Sequence, residues 1–359
     1  MKTKLTDPAP VNKILTCTAM VFLIACCSLF SIMASAQADI HFSQFYETSI
    51  LRNPALTGVF ADDYKVGVYY RNQWSSITNP YSTGLLSAES RISLSRVSDD
   101  FLSFGLLAYN DKAGSIDQSI TGIYPAINYN KSINPDHNTY LSVGFTGGYL
   151  QYSFDPGKAT FNNQYQNGSY NPANPSLENL PSPKMGIMDL GAGINFNTSS
   201  GEYNNTTYVL GVSAYHITQP DFSYYSTAGL TDNIRWNVNA AASYTLKEDI
   251  VMQINGNFAL QGPYTEIIAG GLLSWTEAVD GPKTIFVLSG GVFYRYNDAI
   301  IPVLKVKYKN MAMAVSYDVN VSTLKEASNL EGGYEVTLFL SGNFSNKNEV
   351  LKKTVCPKF

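Results

Sequence analysis

From residue 64 onward the chain is a succession of short segments in which apolar and polar residues alternate. In Ile234–Lys247, the residues Ile234, Trp236, Val238, Ala240, Ala242, Tyr244 and Leu246 fall on one side. Arg235, Asn237, Asn239, Ala241, Ser243, Thr245 and Lys247 fall on the other. Successive side chains of a strand point to opposite faces, so this segment reads as a strand with one oily and one wet face. The same reading extends to Tyr64–Arg71, Thr83–Ile92, Phe101–Asn110, Ser119–Asn130, Asn138–Tyr149, Met185–Asn197 and Thr206–Ile217. It continues through Asp249–Gln261, Tyr264–Trp275, Thr284–Tyr296, Ile301–Tyr308, Met311–Asp318 and Gly333–Leu340. About fourteen strands, an even number with Tyr or Trp near many ends, predict an all-β fold: a transmembrane, antiparallel, up-and-down β-barrel. Thr83–Ile92, with Glu89 and Arg91, and Ser119–Asn130, with Pro125, carry the pattern least cleanly.

The connections sort by position. The odd-numbered gaps include the longest, 72–82, 150–184, 218–233 and 319–332, while the tightest, Glu248 alone and Lys309-Asn310, are even-numbered. Gaps nine and eleven are odd yet short. Long loops on one rim and tight turns on the other is the asymmetry of outer-membrane barrels, whose long loops face outward. The loop Phe154–Lys184 is rich in Asn, Gly, Pro, Ser and Tyr and carries no charge from Thr160 to Leu177. It reads either as a disordered outer loop or as a lid or partner-binding element.

Alternation also assigns faces. Met252, Ile254, Gly256, Phe258 and Leu260 are expected toward lipid, and Gln253, Asn255 and Asn257 toward the lumen. Leu304, Val306 and Tyr308 likewise oppose Lys305, Lys307 and Lys309. A slip of one residue would turn every polar group outward, so register is strongly specified. Glu335 alternates inward with Thr337, which suggests a lumenal pair with Lys305 or Lys307.

The N-terminus reads as a signal peptide, residues 1–36. Lys2, Lys4 and Lys13 precede an apolar run from Ile14 to Met33 that ends in Ala34-Ser35-Ala36. Cleavage is expected after Ala36, with Ala38 as second choice; an uncleaved helix or acylation at Cys26 are the alternatives. Without Lys2, Lys4, Lys13 and Asp7, the 24 basic and 28 acidic residues fall to 21 and 27, a net charge near −6. Such a chain has no electrostatic footprint for nucleic acid. Charged residues are 14%, against about 25% in a typical soluble domain, and 25 residues are Tyr. Cys17, Cys26 and Cys27 lie in the leader, which leaves Cys356 without an intrachain partner.

Catalytic and metal-binding patterns are missing from the sequence. His41, His137 and His216 are far apart with no Cys or carboxylate at ligand spacing, and His216 with Ser213 is read as a rim histidine rather than a hydrolase pair. Asp62-Asp63 and Asp99-Asp100 read as solvated turns. Gly144, Gly147, Gly148, Gly270, Gly271, Gly290 and Gly291 fall inside strands, where they are expected to relieve curvature beside covering aromatics. No enzyme, cofactor or metal site is expected.

Six stretches carry something further. Phe42-Ser-Gln44-Phe-Tyr46 is followed by Arg52-Asn53-Pro54-Ala-Leu-Thr-Gly58 and by Tyr69-Tyr-Arg71-Asn72-Gln-Trp74. Later come Ser316-Tyr317-Asp318-Val-Asn320-Val-Ser322, then Gly332-Gly333-Tyr-Glu335, and at the end Cys356-Pro357-Lys358-Phe359. In this order the motifs resemble the PorP/SprF family of type IX secretion system outer-membrane proteins over essentially the whole mature chain. Lys358 departs from the family's usual arginine, which loses a planar bidentate fork. The resemblance implies an outer-membrane location and a role in type IX secretion and gliding motility. It implies as partners outer-membrane lipid, secreted adhesin cargo or its C-terminal sorting domain, and periplasmic ring and motor proteins. The family has no catalytic residues to transfer. A passive porin or substrate channel is the alternative.

The expected organisation is therefore a signal peptide at 1–36, a periplasmic or lumenal segment at 37–63, the barrel at 64–342 and a basic periplasmic tail at 343–359. Asn53-Pro54 reads as a turn that ends an extended stretch before the barrel.

Overall fold

The computed structural model describes residues 39–344 apart from 78, 95–97, 179–181, 225–230, 279–284 and 324. The expected leader at 1–36 and the motif residues Cys356, Pro357 and Phe359 lie outside the described residues. Fourteen strands form one closed antiparallel barrel. They are β1 Tyr64–Gln73, β2 Tyr81–Ser93, β3 Phe101–Ala113, β4 Gln118–Asn134, β5 Thr139–Ser153, β6 Lys184–Ser200 and β7 Thr206–Tyr215. The second half is β8 Arg235–Lys247, β9 Ile250–Gln261, β10 Tyr264–Ala278, β11 Ile285–Arg295, β12 Ala299–Tyr308, β13 Met311–Asn320 and β14 Glu331–Gly342. Each strand pairs with its neighbours in sequence, and the wall closes where β1 meets β14 in register from Tyr64 opposite Gly342 to Gln73 opposite Gly333. Closure leaves no open sheet edge, which is what permits strands to cross lipid.

The faces follow the alternation. Trp236, Val238, Ala240, Tyr244 and Leu246 of β8 are exposed on the outer wall, whereas Asn237, Asn239 and Ser243 are buried inside. On β9 Met252, Ile254 and Leu260 point out, and Asn255 and Asn257 point in. Outward aromatics gather near both rims: Tyr70, Tyr334, Tyr317 and Trp236 at one end, Tyr244, Trp275 and Tyr308 at the other. An apolar outer band between aromatic girdles is the signature of a wall in lipid.

Strand ends differ from the expected ones in physically readable places. β7 stops at Tyr215 and not Ile217, because His216 takes a left-handed backbone (φ 54°). Pro125 lies within β4 where the ladder to β5 lapses, and its carbonyl accepts a bond from Thr146 Oγ1 at 2.8 Å. A proline has no N–H to give, so one rung is lost without ending the strand.

One rim carries the connections 154–183, 216–234 and 321–330; the opposite rim carries 135–138, 201–205, 248–249 and 309–310. The first loop, 74–80, is matched in length by 94–100 on the other rim, so the asymmetry rests on the later loops. In 154–183 two 3-10 turns and a small ribbon of Tyr165–Gln166 against Ser169–Tyr170 give the chain local order. Asp100 is not a solvated turn residue. It is buried and accepts from Ser132 N–H (2.9 Å), Tyr129 O–H (3.0 Å) and Lys131 Nζ (2.8 Å).

Ala240 faces out at the middle of β8, and Ala241 lines a cavity inside. Ala240→Arg is therefore expected to destabilise the barrel by about 2–4 kcal/mol, the range for arginine on a lipid face at mid-depth, and Ala241→Arg far less. Equal heat-modifiable folding of the two variants in lipid would contradict the assigned register.

Candidate functional site: a plug pinned inside the lumen

The lumen is occupied by the chain's own residues 39–61. Short helical turns at Phe45–Glu47, Ser49–Arg52 and Pro54–Leu56 compact this segment, so Asn53-Pro54 is preceded by helical turns and not by an extended stretch. Asn53 Oδ1 accepts Ala55 N–H at 2.9 Å, and the proline takes the first position of the turn, where a missing N–H does no harm. The segment starts at the long-loop rim, where Asp39 meets His216 and Arg235. It ends at the opposite rim, where Arg91 donates to the carbonyls of Phe60 and Ala61, each at 2.9 Å.

The wall reaches the plug through two apolar clusters, around Ile40, Phe42 and Ile50 and around Phe45, and through polar groups. Asn53 Nδ2 donates to Asn239 Oδ1 (2.9 Å), Asn128 Nδ2 to the carbonyls of Ala55 and Thr57 (2.9 Å each), and Ser213 Oγ to the Arg52 carbonyl (2.8 Å). Gly58 N–H donates to the Glu89 carboxylate at 2.9 Å. Glu47 lies between Lys65 (2.8 Å) and Lys305, and its carbonyl accepts Tyr69 O–H at 2.9 Å. Buried backbone and amide groups need such partners, and here wall and plug supply each other's.

Close approach needs bare backbone on the wall. A Cβ at Gly144 would stand 2.3 Å from the Pro54 carbonyl carbon, and one at Gly193 would stand 2.0 Å from Asn53 Oδ1. Gly144 thus admits the plug, a role different from relief of curvature. Gly148, where a Cβ would meet the Tyr124 ring at 2.4 Å, fits the expected aromatic cover.

The densest constellation sits at the β1–β14 seam. Arg71 is directly opposite Glu335 and bonds to it, and reaches Asp318 Oδ2 at 3.1 Å. Arg295 of β11 reaches the same Asp318 oxygen at 2.5 Å. The plug completes the set. Ser43 and Gln44 donate their N–H groups to Glu335 at 2.5 and 2.9 Å, Ser43 Oγ donates to Asp318 at 2.6 Å, and Gln44 Nε2 donates to Ser316 Oγ at 3.0 Å. Two guanidinium groups and two carboxylates, all buried, form a neutral knot tying four strands to the plug.

Glu335 does not pair with Lys305 or Lys307. Register places it beside Arg71 and Ser316, whereas Lys305 is level with Ala314 and serves Glu47. Lys307 lies 3.7 Å from Asp62.

The motif positions thus divide. Gln44, Arg71, Asp318 and Glu335 meet in the knot; Asn53, Pro54 and Gly58 lie along the plug; Phe42 packs edge-on to Tyr69 with ring centroids 6.1 Å apart. Asn320 ties the loop 321–330, accepting Ser322 N–H at 2.9 Å and donating to Ser328 Oγ at 3.1 Å. Trp74 stacks edge-on against Tyr81 across the first loop, and Gly333 lies against the Asn72 carbonyl, where a Cβ would be 2.4 Å away. Tyr317 faces outward and joins none of these groups.

A second constellation was not legible in the sequence. His216 is no open rim residue: it is 3% exposed and surrounded by carboxylates from three other parts of the chain. Its Nε2 is 2.8 Å from Asp39 Oδ2, and its Nδ1 is 3.2 Å from Asp189 Oδ1 and 3.6 Å from Asp232 Oδ2. Burial alone would lower the imidazole, but Asp39 and Asp189 prevail and raise it to about 11. Burial would raise Asp39, yet His216 and Arg235 win and hold it at about 2. Only the periodicity that turns Asp189 inward hinted at this group.

Two expectations follow from the plug and its knot. Arg71→Met leaves two buried carboxylates with one guanidinium and should destabilise the barrel by about 3–5 kcal/mol, as loss of one partner of a buried pair does. Adding Glu335→Gln should recover part of that loss in a double-mutant cycle of denaturant unfolding in lipid. Gly144→Val should leave the barrel closed but lift the plug, read as faster proteolysis within residues 39–61.

The fold has relatives among solved structures. The toluene transporter TbuX from Ralstonia pickettii superposes with a TM-score of 0.50 at 10% identity, over 82% of this chain and 93% of that one. A FadL homologue from Pseudomonas aeruginosa gives 0.44 at 9% identity, over 80% and 92%. At such identity the first likeness speaks for the barrel architecture alone. Among curated proteins none matches the chain. Residues 34–339, nearly all of the described barrel together with its plug, match the family described as type IX secretion system membrane protein PorP/SprF, and the chain belongs to that family.

Proposed function

We propose that this protein is an outer-membrane component of the type IX secretion and gliding machinery that supports the secretion or surface anchoring of specific cargo, such as adhesins with a C-terminal sorting domain. In this reading it works as a docking barrel and not as a passive pore. The observation that carries it is the plug. Residues 39–61 occupy the lumen from one rim to the other and are held by charge pairs and amide contacts with strands around the wall. A conduit for diffusing solutes would have to break these contacts, several of them between buried charges.

Membership of a secretion family supports the placement with that machinery. The long loops 154–183 and 216–234 face one side of the membrane together and offer exposed Tyr165, Tyr170 and Leu177. Those are the surfaces assigned to cargo, with the periplasmic ring and motor proteins meeting the opposite rim, where Tyr203 stands exposed.

The test has two arms. In planar bilayers the purified protein is expected to show no steady conductance, and deletion of residues 39–60 is expected to open one. Crosslinking in cells should join the long-loop rim to a sorting domain. Steady conductance by the intact protein, without any crosslink to cargo, would favour the porin alternative and defeat the docking reading.

A further inference from the structure

The plug fills the lumen unevenly. Gly144 and Gly193 let it press against β5 and β6, whereas toward β8, β9 and β12 it leaves a cavity. Tyr46, Glu47 and Arg52 of the plug bound this space, together with Lys65, Ala241 and Lys305 of the wall. It offers about 50 Å³ to the centres of water-sized atoms, room for a few waters or one small ion at roughly 10–15 Å³ per water. The way in is from the short-turn rim. On β8 and β12 the inward Ala241, Thr245, Lys305 and Lys307 keep partial exposure, while Asn237 and Val303, nearer the long loops, are buried.

The plug brings to this cavity donors that lack acceptors. Nε and Nη1 of Arg52 and the phenol oxygen of Tyr46 are buried atoms without a hydrogen-bond partner, a state that normally demands an explanation. The guanidinium carbon of Arg52 lies over the Phe45 ring, 5.7 Å from its centroid, a contact that supplies no acceptor oxygen. Tyr46 is likewise held by its ring, stacked on Phe293 with centroids 5.0 Å apart. Burial draws Arg52 down to about 10 against the pull of Glu47, and it pushes the Tyr46 phenol well up, so both are donors at neutral pH. Charge gives a second reason. Arg52, Lys65 and Lys305 are three cations, and the carboxylates whose fields they feel are Glu47 and Glu89, which leaves one positive charge in surplus. Glu47 is taken by Lys65 at 2.8 Å and by Lys305, and Glu89 accepts Gly58 N–H. Arg52 makes no ion pair among the described residues, and its partial exposure gives the guanidinium room to turn toward the cavity.

From this geometry we propose that Arg52 and Tyr46 form a binding site for a single carboxylate group that enters the lumen from the short-turn rim. A planar carboxylate matches the guanidinium fork, and charge-assisted bonds of this kind are among the strongest a side chain makes. Its one negative charge equals the local surplus. A tetrahedral dianion such as sulfate exceeds that balance and sets its second charge in the field of Glu47 and Glu89. Lys305 and Lys307 stand two residues apart on the inner face of β12 and line the way in. The carboxylate can belong to a small free acid or to the end of a peptide chain, since both present the same group. Seated there, it supplies the acceptors that the wall does not offer to the middle of the plug. The inference is independent of the secretion reading, because it rests only on the cavity and its unmatched donors.

The test uses the purified barrel in detergent, in Tris chloride buffer, titrated with isotopically labelled acetate at constant ionic strength. Saturable broadening of the acetate carboxyl resonance is expected, with a single site per chain. Arg52→Met keeps an apolar stem over Phe45 and should abolish this binding. Tyr46→Phe keeps the stack on Phe293 and should weaken it about tenfold or more, as loss of one hydrogen bond to a charged group does. Lys307→Met removes a cation of the entrance that does not bound the cavity, and it should leave saturation in place. Heat-modifiable migration checks that each variant is folded. A second arm compares acetylated diglycine with its C-terminal amide. Tighter binding of the free acid than of acetate assigns the site to a peptide end, and binding of acetate alone assigns it to a small acid. The proposal is overturned if neither carboxylate saturates the folded protein, if Arg52→Met binds as the native chain does, or if sulfate displaces acetate at equal concentration.

Discussion

The structure depends on one constraint: inward polar groups need partners although the lumen is not simply filled with water. Lipid fixes the outside of the wall and so fixes the register, since a one-residue slip would turn asparagine and arginine outward. The inside then carries buried Asn128, Asn195, Asn239, Arg71, Arg295, Asp318 and Glu335. An open water-filled pore could solvate these groups, but here they face a peptide segment. The plug's exposed carbonyls, N–H groups and side chains serve as the missing half of the hydrogen-bond inventory. Wall and plug are for that reason one core, in which this polar network runs beside two apolar clusters, Ile40, Phe42 and Ile50 against Tyr69 and Leu107, and Phe45 against Phe293 and Ile301.

The charge knot shows how this core gains specificity. Arg71 and Glu335 are cross-strand neighbours at the seam, and next round the wall come Asp318 and then Arg295, so the two carboxylates stand between the two guanidinium groups. Each carboxylate also accepts from the plug at Ser43 or Gln44. A buried ion pair is weak support for stability taken alone, because desolvation offsets its attraction, but losing any one partner is severe. The arrangement therefore favours one seating of the plug over slightly shifted ones. Gly144 and Gly193 act in the same direction by steric means, since they leave notches only where Pro54 and Asn53 sit.

Much of the wall was legible in the sequence because strand alternation is a local signal reinforced by lipid. Ile234–Lys247 declared its two faces outright, and the observed β8 differs from it by one residue. The expected Asn138–Tyr149 became Thr139–Ser153, since its inward Tyr152 and outward Gln151 blur the pattern near the rim without ending the ladder. The plug was harder. Residues 39–60 have neither strand nor helix period, and whether they lie in the lumen or below it depends on partners 18 to 292 positions away. The pairing of Glu335 failed for a related reason. Its inward direction follows from period two, but its partner depends on which strand closes the barrel and in what register, and this fixed Arg71 and not Lys305. His216 was misread because its three carboxylates come from segments joined only by the folded barrel.

Topology also decides how such a plug could ever leave. It runs directly into β1 at the short-turn rim, where Arg91 grips the carbonyls of Phe60 and Ala61, so it cannot be ejected as a free cork. Displacement from the end tied to the wall would require the β1–β14 seam itself to shift, and that seam carries the charge knot. Peeling from Asp39 meets a shorter sequence of obstacles, first the His216 and Arg235 contacts, then Ser43 and Gln44 at the knot. Besides these electrostatic contacts and hydrogen bonds, Ile40 and Phe42 pack into an apolar cluster with Tyr69, and the lower part of the plug can stay seated while the upper part loosens. A partner bound at the long-loop rim could therefore act on the plug by competing for the groups around Asp39. One pressing on the opposite rim would meet the most firmly anchored part of the molecule.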